Sequence, residues 1–128
     1  MNKIIKGKRY DTETAKQVAK TSSREQGVGP SDLKFWSENL YQKRTGEFFL
    51  YGEGGAMSKY REPYENNGFQ SGYKIIPLTL DQAKEWAEQA VDADEYEAIF
   101  GPVEEEDGEF VNDSTYKMIK WLAEQNKK

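Results

Sequence analysis

The sequence predicts an α+β fold, in which a small antiparallel β-sheet has helices packed on one face and further helices lie toward the C-terminal end. Strand-like runs rich in aromatic and β-branched residues fill most of the first 78 residues, and the clearest helical periodicity begins at Leu80. Strands followed by helices, instead of regular alternation, are typical of α+β proteins. Six Phe, three Trp and eight Tyr residues in 128 provide enough apolar surface for one core.

The N-terminal region is expected to form a short hairpin and then a helix. Residues 3–10 predict a hairpin or bent strand that turns at Gly7. Between residues 15 and 19 apolar side chains recur at helical spacing, and Asp11 or Thr12 is suited to cap a helix there. A loop rich in glycine, serine and proline is expected to follow this helix.

The middle of the chain predicts a second hairpin and one more strand. Residues 33–43 have apolar side chains on both faces, EFFLYGE returns as the second strand, and Thr45-Gly46 supplies the turn. A loop with several glycines and asparagines follows. The run YKIIPL at residues 73–78 then predicts a short strand, and Pro77 favours an edge position or the end of that strand.

Two helices are predicted directly after this strand. Thr79 and Gln82 have the spacing of a capping box, which marks a well-defined helix start. Asp92 or Asp94 is expected to cap a second, shorter helix. Gly101 is expected to end it, because glycine is common just beyond a helix C-terminus.

The last part of the sequence predicts a linker and a final helix. The run PVEEEDGE predicts a solvated acidic linker, and helical periodicity resumes from Asp113 or Ser114. The expected organisation is a core domain at residues 1–101, a linker at 102–112 and a C-terminal helix at 113–128.

Cysteine and histidine are both absent from the sequence. No disulfide, thiolate nucleophile or histidine-dependent catalytic pair can therefore form. The carboxylates and lysines match no catalytic spacing, so we predict no catalytic residue, no metal site and no cofactor, and expect a non-enzymatic protein. The N-terminal apolar run is too short for a signal peptide. We expect the protein in the cytoplasm of a bacterial cell, without membrane association.

The glycine-rich stretch GEFFLYGEGGAMSKY at residues 46–60 resembles a phosphate-binding loop only superficially. It lacks the G-K-[ST] ending of a Walker loop, and Met57 stands where a dinucleotide-binding turn needs its third glycine. Glu53 would also repel a phosphate. We therefore expect a structural role, in which Gly52, Gly54 and Gly55 turn the chain sharply at the strand end by adopting positive φ angles.

Charge is distributed unevenly along the chain. Residues 1–74 have a net charge of +4, residues 75–113 of −12, and residues 114–128 of +3. The acidic block is compatible with a solvated surface, a cation site, or a surface that imitates nucleic acid and occupies a basic channel on another protein. A cation site is disfavoured because the spaced ligands of a calcium loop are missing. The candidate partner-binding residues are Asp92, Asp94, Glu95, Glu97, Glu104, Glu105, Glu106, Asp107 and Glu109.

The positive N-terminal part leaves RNA binding as an alternative. Solvent-facing aromatic side chains on a sheet can stack on single-stranded bases, while basic residues beside them bind the phosphates. The sequence lacks the ribonucleoprotein signature that interleaves basic and aromatic residues. The candidate RNA contacts are Lys6, Lys8, Arg9, Lys43 and Arg44.

Three stretches carry a resemblance to a known group of proteins: KIIKGKRYDTETAK, ENLYQKRTGEFFLYGEGGAMSKY and YKIIPLTLDQAKEWAEQAVDADEYEAIFG. Together they resemble a family of small proteins carried by phages and conjugative elements of Gram-positive bacteria. The likeness spans residues 3–101, with GKRYDTETA and GEFFLYGEGG as its most distinctive parts. Residues 102–128 lie outside it.

Members of this group resemble, or occur within, inhibitors of type II CRISPR-Cas systems. The resemblance implies an anti-CRISPR-like protein that binds a host Cas9-type effector, or its guide RNA, and blocks guide loading or DNA engagement. The residues themselves leave two alternative functions open. One is an RNA-binding or metal-dependent RNA-cleaving protein, and the other is a regulatory or scaffold module of the mobile element with no defence target.

Overall fold

A central antiparallel sheet organises the chain in the computed structural model, which describes residues 1–104 and 113–126. The architecture is α+β, as the sequence predicts. The strands are β1 (Asn2–Ile5), β2 (Lys8–Asp11), β3 (Lys16–Ser22), β4 (Trp36–Gln42), β5 (Phe48–Gly54), β6 (Glu62–Tyr64), β7 (Gly68–Gln70) and β8 (Gly72–Leu78). The helices are α1 (Leu80–Ala90), α2 (Ala93–Phe100) and α3 (Asp113–Asn126), with a 3₁₀ helix at Ser23–Gln26.

The central sheet has four strands in the order β3-β4-β5-β8, and every neighbouring pair is antiparallel. Leu40, Leu50 and Ile76 lie side by side across β4, β5 and β8 and fix the register. The expected hairpin is confirmed, and Gly46 has a φ of +94° in its turn. Pro77 lies in β8, which is an edge strand of the sheet, as the sequence predicts for proline.

The first two strands confirm the expected N-terminal hairpin, since β1 pairs with β2 around a turn at Lys6 and Gly7. The prediction of a helix near residues 15–19 is wrong, because Lys16–Ser22 form strand β3. A register shift between Gln17 and Ala19 allows Val18 and Ala19 to contact the same core. Adjacent apolar residues at a β-bulge break the strict alternation of a strand, and their spacing therefore looked helical.

The sheet separates two apolar clusters. On one face α1 and α2 cover Leu40, Phe48 and Leu50, and Phe100 of α2 packs against Phe48 with ring centroids 5.4 Å apart. On the other face the β1–β2 hairpin covers Phe49, whose ring is fully buried between neighbouring tyrosines. The expectation of helices on one sheet face is therefore correct.

Local sequence signals define the helix ends. The Thr79 side chain accepts a hydrogen bond from the Gln82 backbone N–H at 3.1 Å, and the Gln82 side chain accepts one from the Thr79 N–H at 2.9 Å. This is the predicted capping box. Asp92 caps α2 by accepting from the Glu95 N–H at 2.8 Å, and Gly101, with a φ of +93°, ends the helix.

Two further regions complete the described chain. The glycine- and asparagine-rich segment before YKIIPL was expected to be a loop, but it includes the small hairpin β6–β7, whose residues are all exposed. The predicted C-terminal helix is present as α3. Most of the predicted 102–112 linker falls outside the described residues. In the part of the chain that the structure describes, no helix has the length and apolarity needed to cross a membrane.

Candidate functional site

Acidic side chains from three successive segments meet in one groove beside helix α2. Glu88 comes from α1, Asp92 and Glu97 come from α2 and its cap, and Glu104 comes from the segment after Gly101. The groove has a volume of about 510 Å³. We call it the acidic groove, and its lining residues are Glu88, Val91, Asp92, Ala93, Tyr96, Glu97, Val103 and Glu104.

Short-range structure brings these carboxylates together. The Val91 N–H bonds to the Ala87 carbonyl and closes α1, and Asp92 starts α2 one residue later. At the other end of α2, Gly101 has a positive φ that few side-chain-bearing residues adopt. The chain beyond this glycine then lies against the same groove, where Val103 and Glu104 contribute to the lining.

Among the residues that the structure describes, no basic side chain lines the acidic groove. The ion pairs found among the described side chains, residues 1–104 and 118–125, join Glu47 to Lys8 and Lys43, and Glu38 to Lys59. None involves a carboxylate of the groove. Because like charges within about a Debye length of ~10 Å add, the carboxylates of the groove reinforce one another and give this part of the described surface a negative potential.

The structure divides the predicted partner-binding residues into four sets. Asp92, Glu97 and Glu104 line the acidic groove. Glu95 instead borders a cleft on the other side of α2, together with Lys16. Asp94 is exposed in the first turn of α2 and does not line the groove. Glu105, Glu106, Asp107 and Glu109 lie outside the described residues.

One groove residue, Glu88, was not singled out from the sequence. In the sequence it belongs to the solvent side of an amphipathic helix, with nothing to distinguish it from Glu85. Glu88 lies four residues before Asp92, and the short connection between α1 and α2 places both on the lining of the groove. Asp92 itself has two roles, because its carboxylate is also the N-cap of α2. Replacing Asp92 would therefore perturb the helix as well as the groove charge.

Four of the five predicted RNA contacts also share a cleft. Lys8, Arg9, Lys43 and Arg44 line a depression of about 410 Å³ between β2 and the β4–β5 turn. We call it the basic cleft. The fifth, Lys6, lies at the β1–β2 turn and does not line it.

Acidic residues reduce the charge of the basic cleft. The Glu47 carboxylate is 3.1 Å from the Lys8 ammonium and 3.8 Å from that of Lys43. The hydrogen bond from Lys8, helped by the charges of both lysines, lowers the pKa of Glu47 below its ordinary value. Asp11 lines the cleft as well. The basic cleft is therefore less strongly charged than its four basic residues suggest.

The exposed aromatic side chains on the sheet surface include Tyr73, whose ring stacks on that of Tyr51 with centroids 6.2 Å apart. The Tyr51 hydroxyl donates to the Glu53 carboxylate at 3.1 Å. Burial, together with the nearby Glu53 charge, raises the pKa of Tyr51 to about 12. A carboxylate beside these rings disfavours the approach of a phosphate backbone.

The glycine-rich stretch has a structural role, but the predicted mechanism is wrong. None of Gly52, Gly54 and Gly55 has a positive φ, and β5 continues as far as Gly54. A Cβ atom at Gly52 would overlap the ring of Tyr60, and one at Gly55 would collide with the carbonyl of Leu33. These positions require glycine because neighbouring segments lie directly against the backbone.

The ring that covers Gly52 takes part in a buried polar network. Glu38 is only 7% exposed, and it accepts hydrogen bonds from the Trp86 indole N–H at 3.0 Å, the Lys59 ammonium at 3.0 Å and the Tyr60 hydroxyl. The Lys59 ammonium also lies 4.0 Å from the Trp36 ring centroid. The network therefore connects β4, the segment after β5 and α1.

Glu38 is held in its charged form by this network. Burial acts to raise the pKa of Glu38, but the hydrogen bonds from Tyr60, Trp86 and Lys59 outweigh burial and lower it below the ordinary value of 4.5. Burial and the bond to Glu38 raise the pKa of Tyr60. Both oxygens of the carboxylate have donors, so Glu38 is occupied in stabilising the fold and is not a free base.

Comparisons with known proteins add no identification. The chain matches no protein-family model, no curated protein and no solved structure. Among the residues that the structure describes, no three or more acidic side chains are arranged to hold a metal ion. The acidic groove and the basic cleft are the candidate functional sites that the described residues form from the predicted partner-binding and RNA-contact residues.

Proposed function

We propose that the protein binds a positively charged surface of another protein through the acidic groove, and that this partner is a host Cas9-type effector. The observation that carries the proposal is that Glu88, Asp92, Glu97 and Glu104 line one groove, which has no basic side chain among its described lining residues. Effectors of this class hold nucleic acid in a strongly basic channel, to which such a surface is complementary.

The groove also has features that a simple solvated acidic surface lacks. Val91 and Tyr96, which are partly buried, and Val103, which is exposed, line the groove together with the carboxylates. A lysine or arginine side chain has an apolar stem and a charged end. Such a side chain can therefore place its stem on the apolar floor while its charged group contacts a carboxylate.

Occupation of the channel would block guide RNA loading or DNA engagement, according to which part of it is covered. The resemblance of residues 3–101 to proteins of mobile elements supports this choice of partner, and the acidic groove supplies the physical means of binding. The protein would then act as an inhibitor by binding, with no catalytic step.

A DNA-cleavage assay with a Cas9-type effector tests this proposal. The test variant carries Glu88→Lys, Glu97→Lys and Glu104→Lys, and it leaves the helix cap Asp92 unchanged. The matched control carries Glu13→Lys, Glu25→Lys and Glu62→Lys. These three residues are exposed, make no ion pair in the described chain and lie away from the groove. Both variants change the net charge by the same amount.

The expected loss follows from typical energies of exposed charge pairs. Each lost attraction and each new repulsion contributes roughly 0.5 kcal/mol, so three reversals weaken binding by about 3 kcal/mol, or roughly a hundredfold. The control should inhibit like the wild type. Adding guide RNA before or after the protein then separates a block of loading from a block of DNA engagement. Equal inhibition by the two variants would remove the acidic groove from the mechanism.

RNA binding through the basic cleft is the second candidate function. It is favoured by the convergence of Lys8, Arg9, Lys43 and Arg44 on one depression. Arg9 and Arg44 make no ion pair within the described residues, so Arg9→Ala with Arg44→Ala removes the uncompensated charge without disturbing Glu47. A gel shift on guide RNA, and a cleavage assay with Mg²⁺ and then EDTA, should show retardation or cutting that this variant loses. A protein that acts only through the acidic groove gives neither signal.

A further inference from the structure

The carboxylate of Glu47 lies in the basic cleft among groups that bind anions. The Lys8 ammonium is 3.1 Å from one of its oxygens, and the Lys43 ammonium is 3.8 Å from the other. The Thr45 hydroxyl donates a hydrogen bond to this second oxygen at 3.2 Å. The ammonium of lysine and the hydroxyl of threonine are common phosphate donors in proteins. Glu47 therefore has the surroundings of a bound anion.

The donors around Glu47 are positioned by contacts that do not involve its carboxylate. The Lys43 side chain is only 17% exposed, and its ammonium lies 4.5 Å from the centroid of the Tyr10 ring. Backbone hydrogen bonds close the turn that carries Thr45. In this turn the Gly46 N–H donates to the Lys43 carbonyl and the Lys43 N–H donates to the Glu47 carbonyl, both at 2.8 Å. Loss of the carboxylate should therefore leave these donors in place.

The described lining of the basic cleft can contact phosphate groups but offers no ring for base stacking. No aromatic side chain is among the described residues that line it. The nearby Tyr10 ring is only 5% exposed. The exposed Tyr73 ring lines a different depression, together with Asp32 and Glu53. Since stacking on a base needs an accessible ring, the cleft is suited to the phosphate group and not to the base.

We propose that the basic cleft binds phosphate groups and that Glu47 is their internal competitor. A phosphate that enters the cleft replaces the carboxylate as the partner of the two ammonium groups and the threonine hydroxyl. The Glu47 side chain, which is 38% exposed, can then turn to solvent. Arg9 and Arg44 line the same cleft and can contact further phosphate oxygens. The affinity is thus set by the exchange of one anion for another.

This inference rests on the second candidate function, RNA binding through the basic cleft, and specifies the chemistry of that site. A single phosphate must displace Glu47 to reach donors that are already paired. A ligand with several phosphates gains Arg9 and Arg44 as well, so the competitor favours a phosphate chain over an isolated phosphate. Contacts to phosphate carry no sequence information, so RNAs of different sequence should bind alike.

Fluorescence anisotropy with a short labelled single-stranded RNA tests the proposal on the full-length wild type, Glu47→Gln and Asp11→Asn. Asp11→Asn is the matched control, because it removes the same charge from the same cleft, and Asp11 makes none of the ion pairs found among the described side chains. The control also keeps an oxygen for the Glu13 N–H, which donates to the Asp11 carboxylate at 2.9 Å. Glu47→Gln should raise the affinity roughly tenfold, and the control less than about threefold. Exposed ion pairs contribute little to stability, so both variants should fold, which circular dichroism checks.

Salt and inorganic phosphate separate displacement of Glu47 from a general change in charge. Salt weakens the ion pairs of Glu47 as well as those with RNA, so the affinity of the wild type should fall less steeply with salt than that of Glu47→Gln. Asp11→Asn should keep the salt dependence of the wild type. Inorganic phosphate should displace RNA from Glu47→Gln at a lower concentration than from the wild type, and calorimetry measures its binding directly.

Equal gains in affinity and equal salt dependence for Glu47→Gln and Asp11→Asn would overturn the competitor role, because the change in net charge alone would explain them. Failure of both RNA and inorganic phosphate to bind any of the three proteins would overturn the phosphate site. If Glu47→Gln binds inorganic phosphate more tightly than the wild type does, but none of the proteins binds guide RNA, the proposed exchange holds and only the RNA-binding function fails.

Discussion

Gly52 provides the sharpest stability prediction, because the structure shows what an added methyl group would meet. The substitution Gly52→Ala places a Cβ inside the space of the Tyr60 ring, beside the hydroxyl that donates to Glu38. The Gly52 backbone is extended and its φ is not positive, so conformational strain is not the reason. The effect should come from displacement of one side chain.

The magnitude follows from what Tyr60 loses when it moves. Forcing an extra carbon into a packed site costs about 1–3 kcal/mol. Weakening a buried hydrogen bond to a charged group costs about 1.5–3 kcal/mol. These costs overlap, because the same movement of the ring causes both, so we expect about 3 kcal/mol in total. For a chain of 128 residues this corresponds to a fall in melting temperature of roughly 10 °C.

A double-mutant cycle measured by circular dichroism during thermal and urea unfolding tests the mechanism. In a Tyr60→Ala background the obstructing ring is absent, so Gly52→Ala should cost less than ~1 kcal/mol. Gly29→Ala is the control, because an added Cβ there has no atom within 4 Å, and it should change stability by less than ~0.5 kcal/mol. Equal costs of Gly52→Ala in both backgrounds would refute the steric explanation.

Three further predictions concern individual interactions. Glu38→Gln should lower stability by about 2 kcal/mol at neutral pH. Folding lowers the pKa of Glu38, so the stability advantage of the wild type is fully present above the ordinary glutamate pKa of 4.5 and should shrink as the pH falls below that value. Urea unfolding of both proteins at several pH values measures this difference. A difference in stability that stays constant with pH would contradict the prediction. Thr79→Ala should cost about 1 kcal/mol in the same unfolding assay through loss of the capping box, and no change would show that the cap is dispensable. Glu53→Gln should lower the Tyr51 pKa from about 12 partway toward 10.0 in an ultraviolet titration, whereas an unchanged value would show that Glu53 does not contribute to the rise.

Features that depend on neighbouring residues were predictable from the sequence. The capping box at Thr79 and the Asp92 cap each involve residues three apart, and the β4–β5 hairpin is joined by a short turn with a glycine. In each case the chemistry that forms the structure lies within a few residues and leaves a local pattern.

Features that depend on distant residues were not predictable in the same way. Gly52 is glycine because of Tyr60, and Glu38 accepts a hydrogen bond from Trp86, 48 residues away. Strand β3 was mistaken for a helix because its bulge hides the alternation that pairing with β4 would otherwise produce. None of these contacts leaves a local signature in the sequence.

The most direct test of the functional account is the affinity for a purified Cas9-type effector, measured at equilibrium over a range of salt concentrations. The account predicts that the wild type binds and that its affinity falls steadily as salt rises. It also predicts that reversing Glu88, Glu97 and Glu104 weakens binding roughly a hundredfold and flattens the salt dependence, while the matched control reversal at Glu13, Glu25 and Glu62 does neither. Identical affinities and identical salt dependence for the wild type and both variants would contradict it.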